Sequence, residues 1–302
     1  MVSGFFGSGK TTLLQNLLGY FIERKTGVLI NEAGQISIDT ERLRKEELEL
    51  TEITNGSIYC ACLKGEFVRA LAEMSGKDTE VLLIENSGMS DPANIHRILK
   101  ETEGLVKRPY RYCGSICVVN AISFLKHIRV LVALENQVRA SNCILVNKAD
   151  LTGSFMLEVI HRTILEINPA AHIHDTCYAD IPAETVIREL ADTGYDADSS
   201  NRCSEKPFTC VLEWSAQLRE KDLYDFIFET SKEAYRIKGN VLTEHGWRQA
   251  DAEECQVDFH DAGAEHTDYS RLVIVMQGKN DRKDKLRQAW EQYCGVPVSI
   301  MD

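Results

Sequence analysis

The 302-residue sequence has no excess of positive charge, no long apolar run and no signal segment. Its 34 Lys and Arg residues are outnumbered by 46 Asp and Glu, giving a formal net charge of -12. This balance argues against nucleic acid or an anionic membrane as the main partner, because both select clustered positive charge. No apolar run approaches the roughly 18 residues of a membrane-spanning helix. The first residues lack the basic, apolar and small-residue order of a secretory signal.

The sequence also lacks a disulfide framework, an internal repeat and a low-complexity tract. Its ten cysteines are scattered without regular spacing, which is typical of reduced thiols. A hydrophobic content of 44% and a charged content of 26% are those of an ordinary globular protein. We therefore expect a cytoplasmic protein.

Residues 4–11 read Gly-Phe-Phe-Gly-Ser-Gly-Lys-Thr, which matches the GxxxxGK[ST] phosphate-binding loop. The backbone amides of such a loop point at a polyphosphate, the lysine reaches the β- and γ-phosphates, and the hydroxyl ligates Mg²⁺. The residues predicted to bind nucleotide here are Gly4, Gly7, Ser8, Gly9, Lys10, Thr11 and Thr12.

The segment after this loop is predicted to be the expected helix, but the segment before it is short for a strand. An apolar stripe over 12–25 predicts a helix whose N-terminus would face the bound anion. Only Met1, Val2 and Ser3 precede the loop, fewer than the 5–6 residues of a typical strand. We therefore expect the native chain to begin several residues earlier.

Further along, apolar runs that alternate with helical stretches predict a doubly wound, mainly parallel α/β sheet. The runs cover residues 28–30, 81–84, 116–119 and 143–146, and helices are predicted at 66–75, 95–101 and 135–140. We assign residues 1–189 to a P-loop NTPase domain and the polar, aperiodic residues 190–206 to a linker.

Residues 207–302 follow a different pattern, typical of a small α+β domain with an antiparallel sheet. Strands are predicted at 208–214, 241–243, 254–259 and 272–276, and helices at 220–236 and 283–293.

Asn147, Lys148 and Asp150 form an NKxD motif after an apolar strand. An aspartate can accept hydrogen bonds from the guanine ring N–H and amine, a pair that adenine does not offer. Downstream of a phosphate loop, this motif predicts selection of GTP. It also disfavours a small-molecule kinase, which would share the loop without depending on Asp150.

Two other segments predict contacts to Mg²⁺ and the γ-phosphate. Glu85 ends a strand and can act on Mg²⁺ directly or through water, while the Gly88 amide can sense the γ-phosphate. Together with Lys10 they are the predicted catalytic residues. The predicted switch residues are Asn31, Glu32, Gly34 and Asp39.

These motifs, in their order along nearly the whole chain, resemble the CobW-like family of metal-associated GTPases, relatives of the urease and hydrogenase nickel-insertion GTPases. The resemblance includes Glu85, where many GTPases carry aspartate, and the later segments 235–239 and 273–278. It implies a metallochaperone, or a GTPase that delivers a metallocofactor such as zinc or a corrinoid (cobalamin). The implied partners are a client metalloprotein or a metallocofactor-assembly protein, and a second copy of the chain, paired around nucleotide.

The chain departs from the metal motif of the family it resembles, Asn-Gly-Cys-x-Cys-Cys. Ser57 and Tyr59 replace the first two cysteines, Cys60 keeps the third, and Cys62 is additional. Residues two apart in an extended segment share one face, so Cys60 and Cys62 could grip Zn²⁺ or Co²⁺ with further ligands. Burial as small apolar side chains is equally consistent with the pattern.

Other candidate features favour structural roles. His172 and His174 share one face near Cys177, but this spacing is more typical of ordinary strand residues. Cys113 and Cys117 are expected in the core, and the acidic run 42–52 is expected to form a solvated helix face.

The leading hypothesis is a Mg²⁺-dependent GTPase that drives metal or metallocofactor delivery, and the alternative is a GTP-dependent switch for a client metalloenzyme that carries no metal itself. Because the sequence offers no obvious water-orienting glutamine or arginine finger, we expect slow intrinsic turnover.

Overall fold

The structure is a computed structural model that describes residues 1–21, 23–31, 49–53, 64–198, 208–253, 255–262, 268–276 and 282–301. The chain divides into two compact units, residues 1–205 and 206–302. The boundaries predicted at 189 and 207 stay predictions.

Over its described residues, the first unit contains a seven-stranded, fully parallel sheet in the order β3-β2-β4-β1-β5-β6-β7. Its strands are β1 (Val2–Gly4), β2 (Thr26–Asn31), β3 (Glu49–Ile53), β4 (Val81–Glu85), β5 (Ile116–Asn120), β6 (Cys143–Asn147) and β7 (His172–Thr176). The predicted P-loop α/β fold is therefore confirmed.

The helices that the structure describes in the first unit cover this sheet. They are α1 (Lys10–Tyr20), α2 (Lys64–Met74), α3 (Ile95–Thr102), α4 (Phe124–His127), α5 (Val132–Arg139), α6 (Ser154–Ile167) and α7 (Ala183–Glu189). Helix α1 buries Leu13 and Leu17 with β1, β5, β6 and α7, and Leu14 and Leu18 with β2. This placement orients the first turn of α1 at the phosphate loop.

Three details of the first unit differ from the sequence predictions. Helix α1 ends at Tyr20 rather than at Lys25, and Phe21 is buried just beyond the helix. The acidic run was predicted to be helical, but residues 49–53 pair in parallel with β2 as an edge strand. Although it is only three residues long, Val2–Gly4 forms a central strand that pairs with both β4 and β5. The expectation that the native chain begins earlier stays a prediction.

The second unit is an antiparallel sheet in the order β11-β10-β9-β12-β8-β13 over its described residues. Its elements are β8 (Phe208–Trp214), α8 (Glu220–Ser231), β9 (Ala234–Thr243), β10 (Gly246–Glu253), β11 (Gln256–Asp261), β12 (Ser270–Met276), α9 (Arg282–Tyr293) and β13 (Ser299–Met301). The helix predicted over 220–236 is wrong beyond Ser231, because β9 begins at Ala234.

The described part of the predicted linker, residues 190–198, has neither helix nor strand. It is held to the first unit by a hydrogen bond and ion pairs. The Ala197 amide donates to the Ala93 carbonyl at 3.0 Å, and Arg97 pairs with Asp196 and Asp198. Among the described residues, no helix has the length and apolar character needed to cross a bilayer.

Candidate nucleotide site

The phosphate loop connects β1 to α1 at the carboxyl edge of the sheet, the edge where open α/β sheets place ligands. Two glycines are required by close approaches. A Cβ on Gly4, whose φ is +145°, would lie 2.3 Å from the Val118 carbonyl oxygen. A Cβ on Gly9, whose φ is +106°, would lie 2.4 Å from Asn147 Nδ2. The loop is therefore packed directly onto β5 and onto the end of β6.

Lys10 and Thr11 begin α1, with Thr12 following in the first turn. The buried Lys10 ammonium donates to the Phe5 carbonyl at 3.0 Å, so it lies folded back over its own loop. The Thr11 hydroxyl donates to Glu85 Oε1 at 2.9 Å, across the gap between α1 and the end of β4. The structure thus brings together Lys10, Thr11 and Glu85, three residues that the sequence predicted to act on the phosphates and Mg²⁺.

The segment after Glu85 packs against the phosphate loop at Gly88. A Cβ on Gly88 would lie 2.7 Å from the backbone nitrogen and from ring carbons of Phe6. On its other side, Gln137 of α5 donates to the carbonyls of Gly88 at 3.3 Å and of Ser90 at 2.7 Å. Gly88 therefore lies between the loop and α5 with no space for a side chain.

Asn147 ties the phosphate loop to the loop that follows β7. Its Nδ2 donates to the Ser8 carbonyl at 2.8 Å. Its Oδ1 accepts from Thr176 Oγ1 at 3.2 Å and from the Ala179 amide at 2.8 Å. All four residues are buried, so these bonds fix two loops from different strands relative to one another.

The residues predicted to recognise the base lie at the same edge. Lys148 has a left-handed backbone, with φ of 60°, and precedes the short 3₁₀ turn Ala149–Leu151 that carries the exposed Asp150. The Cys177 thiol donates to the Asp150 carboxylate, and this hydrogen bond raises the pKa of Cys177. Cys177 thus lies beside the predicted guanine-binding carboxylate, a position that the sequence did not indicate.

A buried polar chain behind Gly88 was not found from the sequence. Asp91 Oδ1 caps the turn Pro92–Asn94 by accepting from the Ala93 amide at 2.9 Å, and Asp91 Oδ2 accepts from Asn136 Nδ2 at 2.8 Å. The Tyr195 hydroxyl donates to Asn136 Oδ1 at 2.7 Å. An Asp before proline is a local capping signal, but its partners are distant in sequence.

Several predicted residues cannot be placed. Strand β2 ends at Asn31, while the switch residues Glu32, Gly34 and Asp39 and the thiols of Cys60 and Cys62 lie outside the described residues.

The positions of the other cysteines agree only in part with the sequence predictions. Cys117 is fully buried as expected, but Cys113 is exposed, so its predicted core position is wrong. Burial raises the pKa of the Cys117 and Cys143 thiols to about 12.

Comparison with known proteins agrees with this site. Residues 1–175 match the family described as CobW/HypB/UreG, nucleotide-binding domain. The chain is 29% identical over 259 residues to "Zinc chaperone YjiA" of Escherichia coli K12, covering 79% of this chain and 80% of that protein. It is 28% identical over 230 residues to "Zinc-regulated GTPase metalloprotein activator 1" of Dictyostelium discoideum, covering 64% of this chain and 48% of that one.

The chain therefore spans about half the length of the Dictyostelium relative. This chain is 18% identical to the protein in a crystal structure of Zn(II)-bound YjiA GTPase, and the alignment covers 97% of both chains with a TM-score of 0.45. The family assignment therefore rests on the sequence match and not on this structure. Because the matched residues 1–175 make up more than half of the chain and contain every motif of the nucleotide site, the chain belongs to the CobW/HypB/UreG family.

Proposed function

We propose that this protein is a slow, Mg²⁺-dependent GTPase that uses the GTP cycle to hold and release zinc for a client metalloprotein. The observation that carries the proposal is the meeting of Lys10, Thr11 and Glu85 at one end of the sheet, with Asp150 at the same edge. The class, a metal-delivery GTPase, follows from family membership.

The donor set at the phosphate loop fits Mg²⁺. The Thr11 hydroxyl and the Glu85 carboxylate lie 2.9 Å apart, and oxygen donors of this kind are the ones that Mg²⁺ takes in proteins. When bound, Mg²⁺ would offset charge on the β- and γ-phosphates. Thr11 and Glu85 would hold it there, directly or through water.

The chain's own residues would supply contacts to the phosphates and to the base, and phosphoryl transfer depends mainly on such positioning and on charge stabilisation. Lys10 would exchange the Phe5 carbonyl for phosphate oxygens, while the loop amides hold the remaining charge. Gly88 lies against the loop at Phe6, and we expect its amide to contact the γ-phosphate. Asp150 would exchange the Cys177 thiol for the guanine N–H and amine.

The cargo assignment rests on the relatives. Proteins named as a zinc chaperone and as zinc-regulated activators align over most of this chain, which favours zinc over a corrinoid. The thiol pair Cys60 and Cys62 is the proposed site for the delivered ion. The homodimer, the client and the cytoplasmic location stay predictions.

Zinc retention measured by equilibrium dialysis tests the proposal. We expect zinc to be retained with Mg²⁺ and a non-hydrolysable GTP analogue and released with GDP. The double variant Cys60→Ser, Cys62→Ser should lose this nucleotide-dependent retention while still hydrolysing GTP. Thr11→Ala should lose Mg²⁺-dependent hydrolysis.

Three results would contradict the proposal. Nucleotide-dependent retention that the double variant leaves unchanged would exclude these thiols as the cargo site, and no retention at all would favour the GTP-dependent switch. Hydrolysis at many turnovers per second by the isolated chain would contradict the slow turnover that we propose.

A further inference from the structure

A cysteine, a histidine and a glutamate meet in the first unit, away from the nucleotide edge. Cys143 is the first residue of β6, His174 lies in the middle of β7, and Glu189 ends α7, which packs on this face of the sheet. Strand β6 runs from Cys143 to Asn147, so the group begins about 13 Å along the strand from the nucleotide site at roughly 3.3 Å per residue.

The three side chains have the spacing of metal ligands. The Cys143 sulfur, an imidazole nitrogen of His174 and a carboxylate oxygen of Glu189 all lie within 4.8 Å of one another. His174 Nε2 and Glu189 Oε2 are 2.7 Å apart. Tetrahedral Zn²⁺, with bonds of about 2.0–2.3 Å, places its ligand atoms roughly 3.3–3.6 Å apart. Side-chain shifts on the order of 1 Å would therefore complete a site.

The backbone that carries Glu189 is held in place by the neighbouring strands. Asn142, next to Cys143, donates from Nδ2 to the Glu189 carbonyl and accepts at Oδ1 from the Ala191 amide at 2.9 Å. Gly114, with φ of +119°, allows close contact with Ala191, because a Cβ there would lie 2.3 Å from the Ala191 carbonyl oxygen. The chain leaving α7 is thus fixed at two points, which is the support that a ligand residue needs.

Burial and ligand chemistry both suit zinc. Cys143 is fully buried, whereas the side chains of His174 and Glu189 keep 27% and 17% exposure, so an ion could enter from their side. A thiolate, an imidazole and a carboxylate together neutralise a divalent ion. Three protein ligands leave the fourth position of a tetrahedral site for water or an incoming group.

We propose that Cys143, His174 and Glu189 bind one zinc-class divalent ion through a ligand set that does not include Cys60 or Cys62. Among the described residues, no other three Cys, His, Asp or Glu side chains meet in this way. His174 thus has different partners from those that the sequence suggested, since it meets Cys143 rather than Cys177. The site goes beyond the proposed GTP cycle and does not depend on it.

The test uses the full chain carrying Cys60→Ser and Cys62→Ser, titrated with Co²⁺ without nucleotide. We expect one bound equivalent with a thiolate-to-cobalt charge-transfer band in the near ultraviolet, displaced by Zn²⁺. Cys143→Ala should remove the band. His174→Gln should weaken binding by at least roughly tenfold, and this side chain is partly exposed, so the variant should fold even where Cys143→Ala does not.

Matched controls lie on the same strands. Cys117→Ala removes an equally buried thiol from β5, and His172→Gln removes the exposed histidine of β7. Neither should change the band or the affinity. The proposal is overturned if Cys143→Ala and His174→Gln bind Co²⁺ as the parent does, or if the controls lose as much. If the proposed function failed, the protein would not retain zinc in a nucleotide-dependent way, but the cobalt charge-transfer band would still appear.

Discussion

Asn147→Ala tests whether one side chain couples the phosphate loop to the loop that follows β7. The substitution removes three hydrogen bonds, at 2.8, 3.2 and 2.8 Å, and leaves the buried Ser8 carbonyl, Thr176 hydroxyl and Ala179 amide without this partner. Each buried group left unpaired costs about 1–3 kcal/mol, part of which water entering the space would recover. We expect the first unit to lose about 2–4 kcal/mol of stability.

The same variant should bind GTP roughly 10–100-fold more weakly, because nucleotide must then order two loops that Asn147 holds in the wild type. Peptide-resolved hydrogen exchange at β1 and β6 measures the local stability. Tryptophan fluorescence would not, since Trp214, Trp247 and Trp290 all lie in the second unit. A fluorescent GTP analogue gives the affinity.

Two further variants separate the two halves of this link. Asn147→Asp keeps an acceptor for Thr176 and Ala179 but turns an oxygen toward the Ser8 carbonyl, so GTP affinity should fall while exchange at 176–179 stays close to wild type. Thr176→Val removes only the 3.2 Å bond and should cost less than about 1 kcal/mol. If Asn147→Ala left both exchange and GTP affinity within twofold of wild type, the coupling would be refuted.

Two other predictions address the base and Gly88. Asp150→Asn should weaken GTP binding by roughly 10²–10⁴-fold and improve binding of xanthosine triphosphate, because the extra carbonyl of xanthine can accept a hydrogen bond from the asparagine amide. Competition binding between the two nucleotides measures this preference. An unchanged preference for GTP would contradict the prediction. Gly88→Ala should slow GTP hydrolysis and lower the free energy of unfolding of the first unit by about 1–3 kcal/mol, because its Cβ would meet Phe6 at 2.7 Å. Gly19→Ala in α1, whose Cβ meets nothing within 4 Å, is the matched control and should not slow single-turnover hydrolysis.

The sequence predicted the sheet and the nucleotide site because both depend on short local patterns. Apolar runs that end in Glu85, Asn120 and Asn147 indicate buried parallel strands with polar carboxyl ends, and the structure confirms these strands. The predicted boundary of an element was wrong where a local helical pattern competed with strand pairing in the fold. Residues 234–236 continue a helical pattern, yet they join β9, where Ala234 and Arg236 pair with β12.

The residues that sequence could not find are those whose meaning comes from contact across the fold. Cys143 and His174 are 31 positions apart and Glu189 lies 15 further on, so no spacing rule connects them. They meet because β6 and β7 are neighbours in parallel register and α7 returns along them to the edge where β6 begins. Asn147 is the opposite case, since the NKxD motif marks it, but only the structure shows that it binds Ser8 and Ala179 at once. A motif therefore predicts which residues meet a ligand, whereas the packing of the strands decides which other side chains lie beside them.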